Sequence, residues 1–186
     1  MSRDTLLATV LDHVTSHGIG DSSLRDLAAA AGTSHRMLIY HFGSREGLLV
    51  AITRAVEQRQ RDLLATLLVE PDADPAEQAR RFWAQLTDPA LWPSQRLFFE
   101  LYGQALQGRP HAVALLDGVV DDWLEPLTEL TVSSGVPPAE ARAHARLRLA
   151  VARGLLLDLL ATGDVEGVRA AAEVHLAAYT RPARRK

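Results

Sequence analysis

Cysteine is absent from this 186-residue chain, which excludes disulfides, thiolate nucleophiles and zinc–thiolate sites. Aromatic residues are scarce at 5%, against 47% hydrophobic residues in all, so alanine and leucine supply most of the apolar surface. No apolar run approaches the roughly 20 residues that cross a bilayer. The opening Met1-Ser2-Arg3-Asp4-Thr5 lacks the apolar core of a signal peptide. A soluble, cytoplasmic protein is the expectation. There is no glycine-rich phosphate loop, internal repeat, nucleophile–base pair, paired-carboxylate arrangement or metal-ligand set. Enzymatic activity, a cofactor and a metal are therefore not expected. The net charge of −3 argues against indiscriminate attachment to nucleic acid.

What the chain does have is helical periodicity. Leu6, Leu7, Val10, Leu11 and Val14 form one apolar stripe, ended by Gly18. His13 and His17 lie four apart, as helical metal ligands can, but no third ligand is near and solvent-facing histidines are the simpler reading. A helix opening at Ser44 can run to about Val69, with Arg54, Arg59, Arg61 and Asp62 on its wet side and Leu48, Ile52, Leu63 and Leu67 on its dry side. Pro71 to Pro75 breaks the chain, and Asp74-Pro75 reads as a cap followed by proline in the first turn. Further breaks at Asp88-Pro89, Arg109-Pro110, Gly135 to Pro138 and Gly163-Asp164 leave helical segments over 75–87, 94–107, 110–133, 138–162 and 165–180. The fold class is all-α, with about nine helices.

The most informative stretch is Ser23 to Leu49, which reads as a short helix, a tight turn, a second short helix and the start of a third. Ser23 and Asp26 have the spacing of a capping box. Leu24, Leu27, Ala28 and Ala31 fall on one apolar face, and its alanines let a neighbouring helix approach closely. Gly32 suits a left-handed residue at a helix end. Thr33 and Ser34 suit the next cap, and Ser44 the one after. In the helix Ser34 to Phe42, Met37, Leu38 and Phe42 can point inward, leaving His35, Arg36, Tyr40 and His41 outward. No acidic residue falls from Leu27 to Ser44, and Arg36 with Arg45 supplies a formal charge of +2. Arg, His and Tyr donate to phosphates and to guanine edges. These residues alone leave two readings open: a groove-binding helix-turn-helix, or a plain three-helix core with a solvated face.

Residues from about Asp4 to Ala51 resemble the DNA-binding domain of the tetracycline-repressor (TetR-type) family. The matching elements are the amphipathic first helix, Ser23-Leu24-Arg25-Asp26-Leu27-Ala28, the turn Ala31-Gly32-Thr33-Ser34, then Leu38-Ile39-Tyr40-His41-Phe42 and Ser44-Arg45-Glu46-Gly47-Leu48-Leu49. The resemblance implies a helix-turn-helix domain over 1–48 and an effector-binding and dimerisation domain over 49–186, linked by the helix from 44. It implies that Arg25 reaches a base and that Ser34, His35, Arg36 and Met37 enter the major groove. Tyr40, His41 and Arg45 would then hold phosphates. The sequence departs from the family's pattern at Leu24, Arg36, Met37 and Ile39, where threonine, a small residue or proline, threonine and tyrosine are frequent. Leu24 and Ile39 cannot donate to a phosphate. Residues 1 to 62 carry seven arginines against seven acidic residues, so binding would rest on a local patch and on two copies acting together. The basic tail Arg181, Arg184, Arg185 and Lys186 reads as a solubilising end rather than a DNA contact.

Beyond that domain the expectations are coarser. Phe82, Trp83, Trp92, Phe98, Phe99, Tyr102 and Trp123 cluster in the middle of the sequence. Each is more simply a core residue. Together, Trp83, Phe98, Phe99, Tyr102 and Trp123 suit the walls of a pocket for a largely apolar small-molecule effector, with Glu100 or His144 as a polar anchor or simply solvated. Gly154, Leu157, Asp158 and Ala161, with Ala172, His175 and Tyr179, recur at helical spacing and suit a four-helix homodimer interface; an intramolecular core is the alternative. The functional expectation is a homodimeric regulator, a repressor released from a near-palindromic operator by its effector. The alternative is a ligand- or partner-binding helical dimer that has lost DNA binding.

Overall fold

The computed structural model describes residues 2–17, 22–68 and 74–180. Gly18, Val69, Pro71 and the basic tail fall outside the described residues, as do the side chains of His17, Leu67 and Tyr179. Among the described residues there are nine α-helices and no strand. They are α1 (Arg3–His17), α2 (Leu24–Ala30), α3 (His35–Phe42), α4 (Arg45–Leu68), α5 (Pro75–Leu86), α6 (Trp92–Leu106), α7 (Asp121–Ser133), α8 (Pro138–Thr162) and α9 (Val165–Thr180). None is long and apolar enough to cross a membrane.

The chain divides into two compact units, Met1–Arg59 with Pro89–Asp117, and Gln60–Asp88 with Gly118–Lys186. In the first, α1 contributes Leu6, Val10 and Val14, all but fully buried. They pack with Leu24 and Leu27 of α2, Leu38 of α3, Leu48 and Ile52 of α4, and Leu97 and Leu101 of α6. The apolar stripe of the first helix is thus the core face it promised to be. Arg59 bonds Asp12 at 3.2 Å, and Arg54 bonds the Ala114 carbonyl, each holding α4 to another part of this unit from the surface side.

In the second unit α8 packs on α7 and α9, and α9 on α5. Phe82 and Trp123 form an aromatic pair with centroids 6.2 Å apart. Arg61 lies over the Trp123 ring at 5.7 Å and faces Asp122 at 3.6 Å. This corrects the placement of Arg61 on the wet side of α4: its side chain is only 13% exposed, with the guanidinium held over the Trp123 ring. Leu64, rather than Leu63, is the fully buried leucine of that turn.

Local signals explain most helix ends. Asp74 accepts from the Glu77 N–H at 3.3 Å, with Pro75 opening α5. Gly163 closes α8 at φ +72°. The segment 110–133 is not one helix. A 3-10 turn at Val113–Leu116 and Gly118 at φ +72° interrupt it before α7 begins. Helix α6 starts at Trp92, two residues before the expected 94, because Pro93 is tolerated in a first turn, where its missing N–H has no partner to lose.

Gly47 shows why a small residue stands in the first turn of α4. A Cβ at that position would run into the Phe42 carbonyl oxygen, at the end of α3. Gly47→Ala should destabilise the first unit by about 1–3 kcal/mol, the usual range for overpacking. Chemical denaturation checks this, and an unchanged midpoint would refute it.

In the second unit, burial first and the Arg148 guanidinium second hold the His175 imidazole below its ordinary pKa. The folded protein therefore binds fewer protons here than the unfolded chain, whose imidazole titrates near 6.5. The stability from this site is complete above about pH 6.5 and is lost as pH falls toward the lower folded value. His175→Gln should flatten the acid limb of a stability–pH profile between those values; a slope identical to the parent's would sink the assignment.

Candidate nucleic-acid interface

The interface is built by α2, α3 and the turn between them. The Ser23 capping box forms as its spacing dictates. The Asp26 N–H donates to Ser23 Oγ at 3.3 Å, and the Ser23 N–H donates to Asp26 Oδ2 at 2.8 Å. The Ser23 hydroxyl, then its backbone N–H, hold the Asp26 carboxyl below its ordinary pKa. Gly32 takes φ +62° in the turn, a conformation that side-chain-bearing residues rarely adopt. Ser34 then caps α3, accepting from the Met37 N–H at 3.2 Å. Gly43, at φ +78°, ends α3 by donating to the Ile39 carbonyl at 2.8 Å. Ser44 starts α4 by accepting from the Gly47 N–H at 3.0 Å.

This scaffold decides which side chains are presented. Leu38 and Phe42 of α3 are buried, and the Arg3 guanidinium sits 5.1 Å above the Phe42 ring. His35, Arg36 and Tyr40 are exposed, Tyr40 by 78%. Met37 is half-buried and Ile39 lies at the exposed margin. Arg25 projects from the solvent side of α2, opposite buried Leu24 and Leu27. Leu24 is thus a core residue, which accounts for an apolar side chain at a position where a phosphate donor is frequent.

Two expected phosphate contacts look different in three dimensions. Arg45 is turned inward: its Nε and Nη2 donate to the Ser22 carbonyl at 3.3 and 3.2 Å, tying the start of α4 to the residue before the capping box. His41 does not point outward. Its ring is half-buried between those of Tyr40 and Phe42, and Nε2 is buried without a hydrogen-bond partner. One helical turn of 3.6 residues brings position 41 round toward the side of Leu38 and Phe42, so an outward histidine there needs more angle than the helix offers.

The chain's other arginines sharpen the choice. Almost all described arginines are engaged within the fold by carboxylates, carbonyls, a hydroxyl or aromatic rings. Among the described residues only Arg25, Arg36 and Arg109 show no such interaction. Two of the three stand on the paired helices. Sequence reasoning had no signal for Arg109, which follows α6 in an exposed turn.

The remaining site expectations divide between the units. Phe98, Phe99 and Tyr102 lie on α6 in the first, with Phe98 stacked on Tyr102 at 5.4 Å. Trp83 and Trp123 lie in the second, and Trp123, 5% exposed, is a core residue there. Glu100 accepts from Gln104 at 3.2 Å, and His144 faces Glu140 at 3.8 Å. On α8, Gly154, Leu157, Asp158 and Ala161 are all exposed along one face. On α9, Ala172 is buried within its own subunit, which removes it from any shared surface, and His175 is half-buried.

Two short helices joined by a glycine turn, the second with His35 and Arg36 uncovered in its first turn, define a helix-turn-helix DNA-binding protein. A sequence profile of bacterial regulatory proteins, tetR family, matches residues 12–52. The HTH-type transcriptional regulatory protein RaaS of Mycobacterium tuberculosis is 30% identical over 165 residues, which cover 83% of this chain and 70% of that protein. The solved structure of BioQ with its natural double-stranded DNA operator has a similar fold, with a TM-score of 0.60 at 20% identity over 97% of this chain and 98% of that one. So has a Saccharomonospora viridis protein solved with choline, with a TM-score of 0.67 at 22% identity over 95% and 94%. The chain belongs to the tetR family of bacterial regulatory proteins, and it is a DNA-binding transcriptional regulator.

Arg25→Ala should weaken operator binding by about 1–3 kcal/mol and relax its sequence preference, as the loss of a base contact does. Arg45→Ala should instead cost about 1–3 kcal/mol of fold stability, the worth of hydrogen bonds to a charged donor. Binding isotherms on several DNA sequences, alongside denaturation, separate the two. Equal effects of both variants on fold stability, or on sequence preference, would contradict this division.

Proposed function

We propose that the protein is a homodimeric repressor that leaves its operator when a small, largely apolar effector binds. The observation that carries the DNA-binding half is the pair of arginines, Arg25 and Arg36, left uncommitted on a helix-turn-helix whose neighbours bind their own cations internally. Residues 1–48 would contact DNA, with His35, Arg36 and Met37 entering the major groove behind the Ser34 cap and Tyr40 on a phosphate. Residues 49–186 would bind the effector and pair the subunits.

The dimer reading rests on the uncovered face of α8. Leu157 is 53% exposed, beside Gly154, Asp158 and Ala161, and Val174 of α9 is 76% exposed. An exposed leucine beside small residues suits a close helix pairing, and a two-fold axis would let the same face serve both partners. Two recognition helices about one DNA turn apart, roughly 34–36 Å, would then read the two halves of a near-palindrome. An effector among helices 75–162 would release DNA only in so far as it favours a subunit arrangement whose spacing no longer fits. Phe98, Phe99 and Tyr102, which share α6 in the first unit, are the candidates for its walls. That the same fold holds choline in the Saccharomonospora viridis protein supports a small organic ligand as a type of effector.

Selection of bound sequences from a random DNA pool tests the reading. A two-fold-symmetric consensus is expected, and a folded protein that enriches nothing would favour a helical dimer without DNA binding. Leu157→Glu should give a folded monomer, with operator affinity lowered by on the order of tenfold or more through the lost coupling of half-sites. Sedimentation showing an unchanged dimer would overturn the assigned interface.

A further inference from the structure

We propose that Arg36 is a specificity-determining residue that reads a guanine in each operator half-site. The inference rests on the DNA-binding reading above and gives it chemical content. A recognition helix contacts base edges mainly through its N-terminal residues. Here those are His35, Arg36 and Met37, of which His35 and Arg36 are exposed and have no described partner.

Each base asks for a different partner in the major groove. Adenine is read bidentately by Asn or Gln, and the cytosine amino group by Asp or Glu. Between Ser23 and Leu49 there is no Asn or Gln. The two acidic residues of that stretch are already engaged. Asp26 binds the Ser23 N–H and hydroxyl, and the Glu46 carboxyl is lowered in pKa chiefly by its own backbone N–H, with Ser44 adding to it. Met37 and Ile39 bring no strong donor or acceptor, and the Ser34 hydroxyl caps its own helix.

The exposed first turn is therefore rich in donors and poor in acceptors. Arg36 brings five N–H donors in a fixed fork, which matches the two acceptors N7 and O6 that guanine alone presents side by side. A phosphate would also accept a guanidinium. Three features favour the base: Arg36 stands in the first turn, where side chains point into the groove; Tyr40, one turn on, offers a hydroxyl for a phosphate; and Arg25 supplies a second free cation from α2.

The test is sequence selection from a random DNA pool with the full-length protein, Arg36→Ala and Arg36→Gln, followed by titration of the selected operator. The wild-type consensus should contain one guanine per half-site whose replacement by adenine weakens binding roughly 5- to 150-fold. Replacement by 7-deazaguanine, which lacks only the N7 acceptor, should also weaken binding. Arg36→Ala should bind the guanine and adenine operators alike, and Arg36→Gln should move the preference to adenine. Arg36 is exposed, so circular dichroism should show both variants folded. The assignment is overturned if Arg36→Ala keeps every base preference. It is equally overturned if that variant loses affinity uniformly over all sequences with a smaller salt slope, the mark of a phosphate contact. A wild-type protein that selects no sequence would overturn both this assignment and the operator-binding reading; a symmetric consensus with no Arg36-dependent guanine would overturn this one alone.

Discussion

An eight-residue helix does not hold itself together in water. Nucleation is unfavourable, and isolated helices shorter than about 12–15 residues are marginal. Helix α3 exists because Leu38 and Phe42 are buried in the core of the first unit, with Arg3 stacked on the Phe42 ring. Every property of the DNA-facing surface follows from that constraint. With the side of Leu38 and Phe42 fixed inward, the helical period leaves Arg36 and Tyr40 outward and draws His41 into the margin, while His35 is exposed at the helix's first position. The caps at Ser34 and Gly43 then set where the helix begins and ends, and so which residues lie in its first turn.

The second organising fact is the disposition of arginine. The protein uses arginine as structural cement: Arg45 on the Ser22 carbonyl, Arg59 on Asp12, Arg61 over Trp123, Arg80 on Glu173, Arg148 on Ser134. Such pairs are individually modest where exposed, and more consequential where a guanidinium is half-buried and its removal leaves acceptors unfilled. A guanidinium turned toward the fold has part of its five-donor fork already committed, so fewer donors are left for a phosphate. The formal charge of a segment therefore overstates its attraction for DNA, and the balance of seven arginines to seven acids over residues 1 to 62 does not measure it either. What counts is which cations face water without a partner, and on the two helices these are Arg25 and Arg36.

Much of this was legible in the sequence, for identifiable reasons. The capping box, the Gly32 turn, the Ser34 cap and the Asp74-Pro75 start rest on interactions within four residues, so spacing alone dictates them. The apolar faces of α1 and α2 follow from period. The readings that changed all depend on partners distant in the chain or on small angles. Arg45 meets a carbonyl 23 positions away, and Arg61 a ring 62 positions on. Leu63 and Leu64 differ by one step of about 100°, too fine for a stripe drawn from pattern. The interruption inside the segment 110–133 lies in the Val113–Leu116 turn and in Gly118 at φ +72°, which a glycine permits without announcing. Ala172 looks like any small residue on a pairing face until the fold buries it.

These strands combine into a view of how such a surface gains specificity. Affinity from phosphates is indifferent to sequence, and a strongly basic domain binds everywhere. A domain that spends its arginines internally and keeps a neutral balance has less of that indifferent affinity. On the proposed dimeric reading, a larger share of its binding free energy would then come from base edges and from the geometric match of two half-sites. Leu24 and Ile39 act in the same direction, since each replaces a possible phosphate donor with apolar surface. The loss is not simply a weakness. Discrimination depends on the ratio of specific to non-specific binding, and lowering the second raises that ratio as surely as improving the first. If Arg36 reads a base as proposed, half-burying Arg45 and His41 while exposing Arg36 would shift the helix-turn-helix from holding DNA toward reading it.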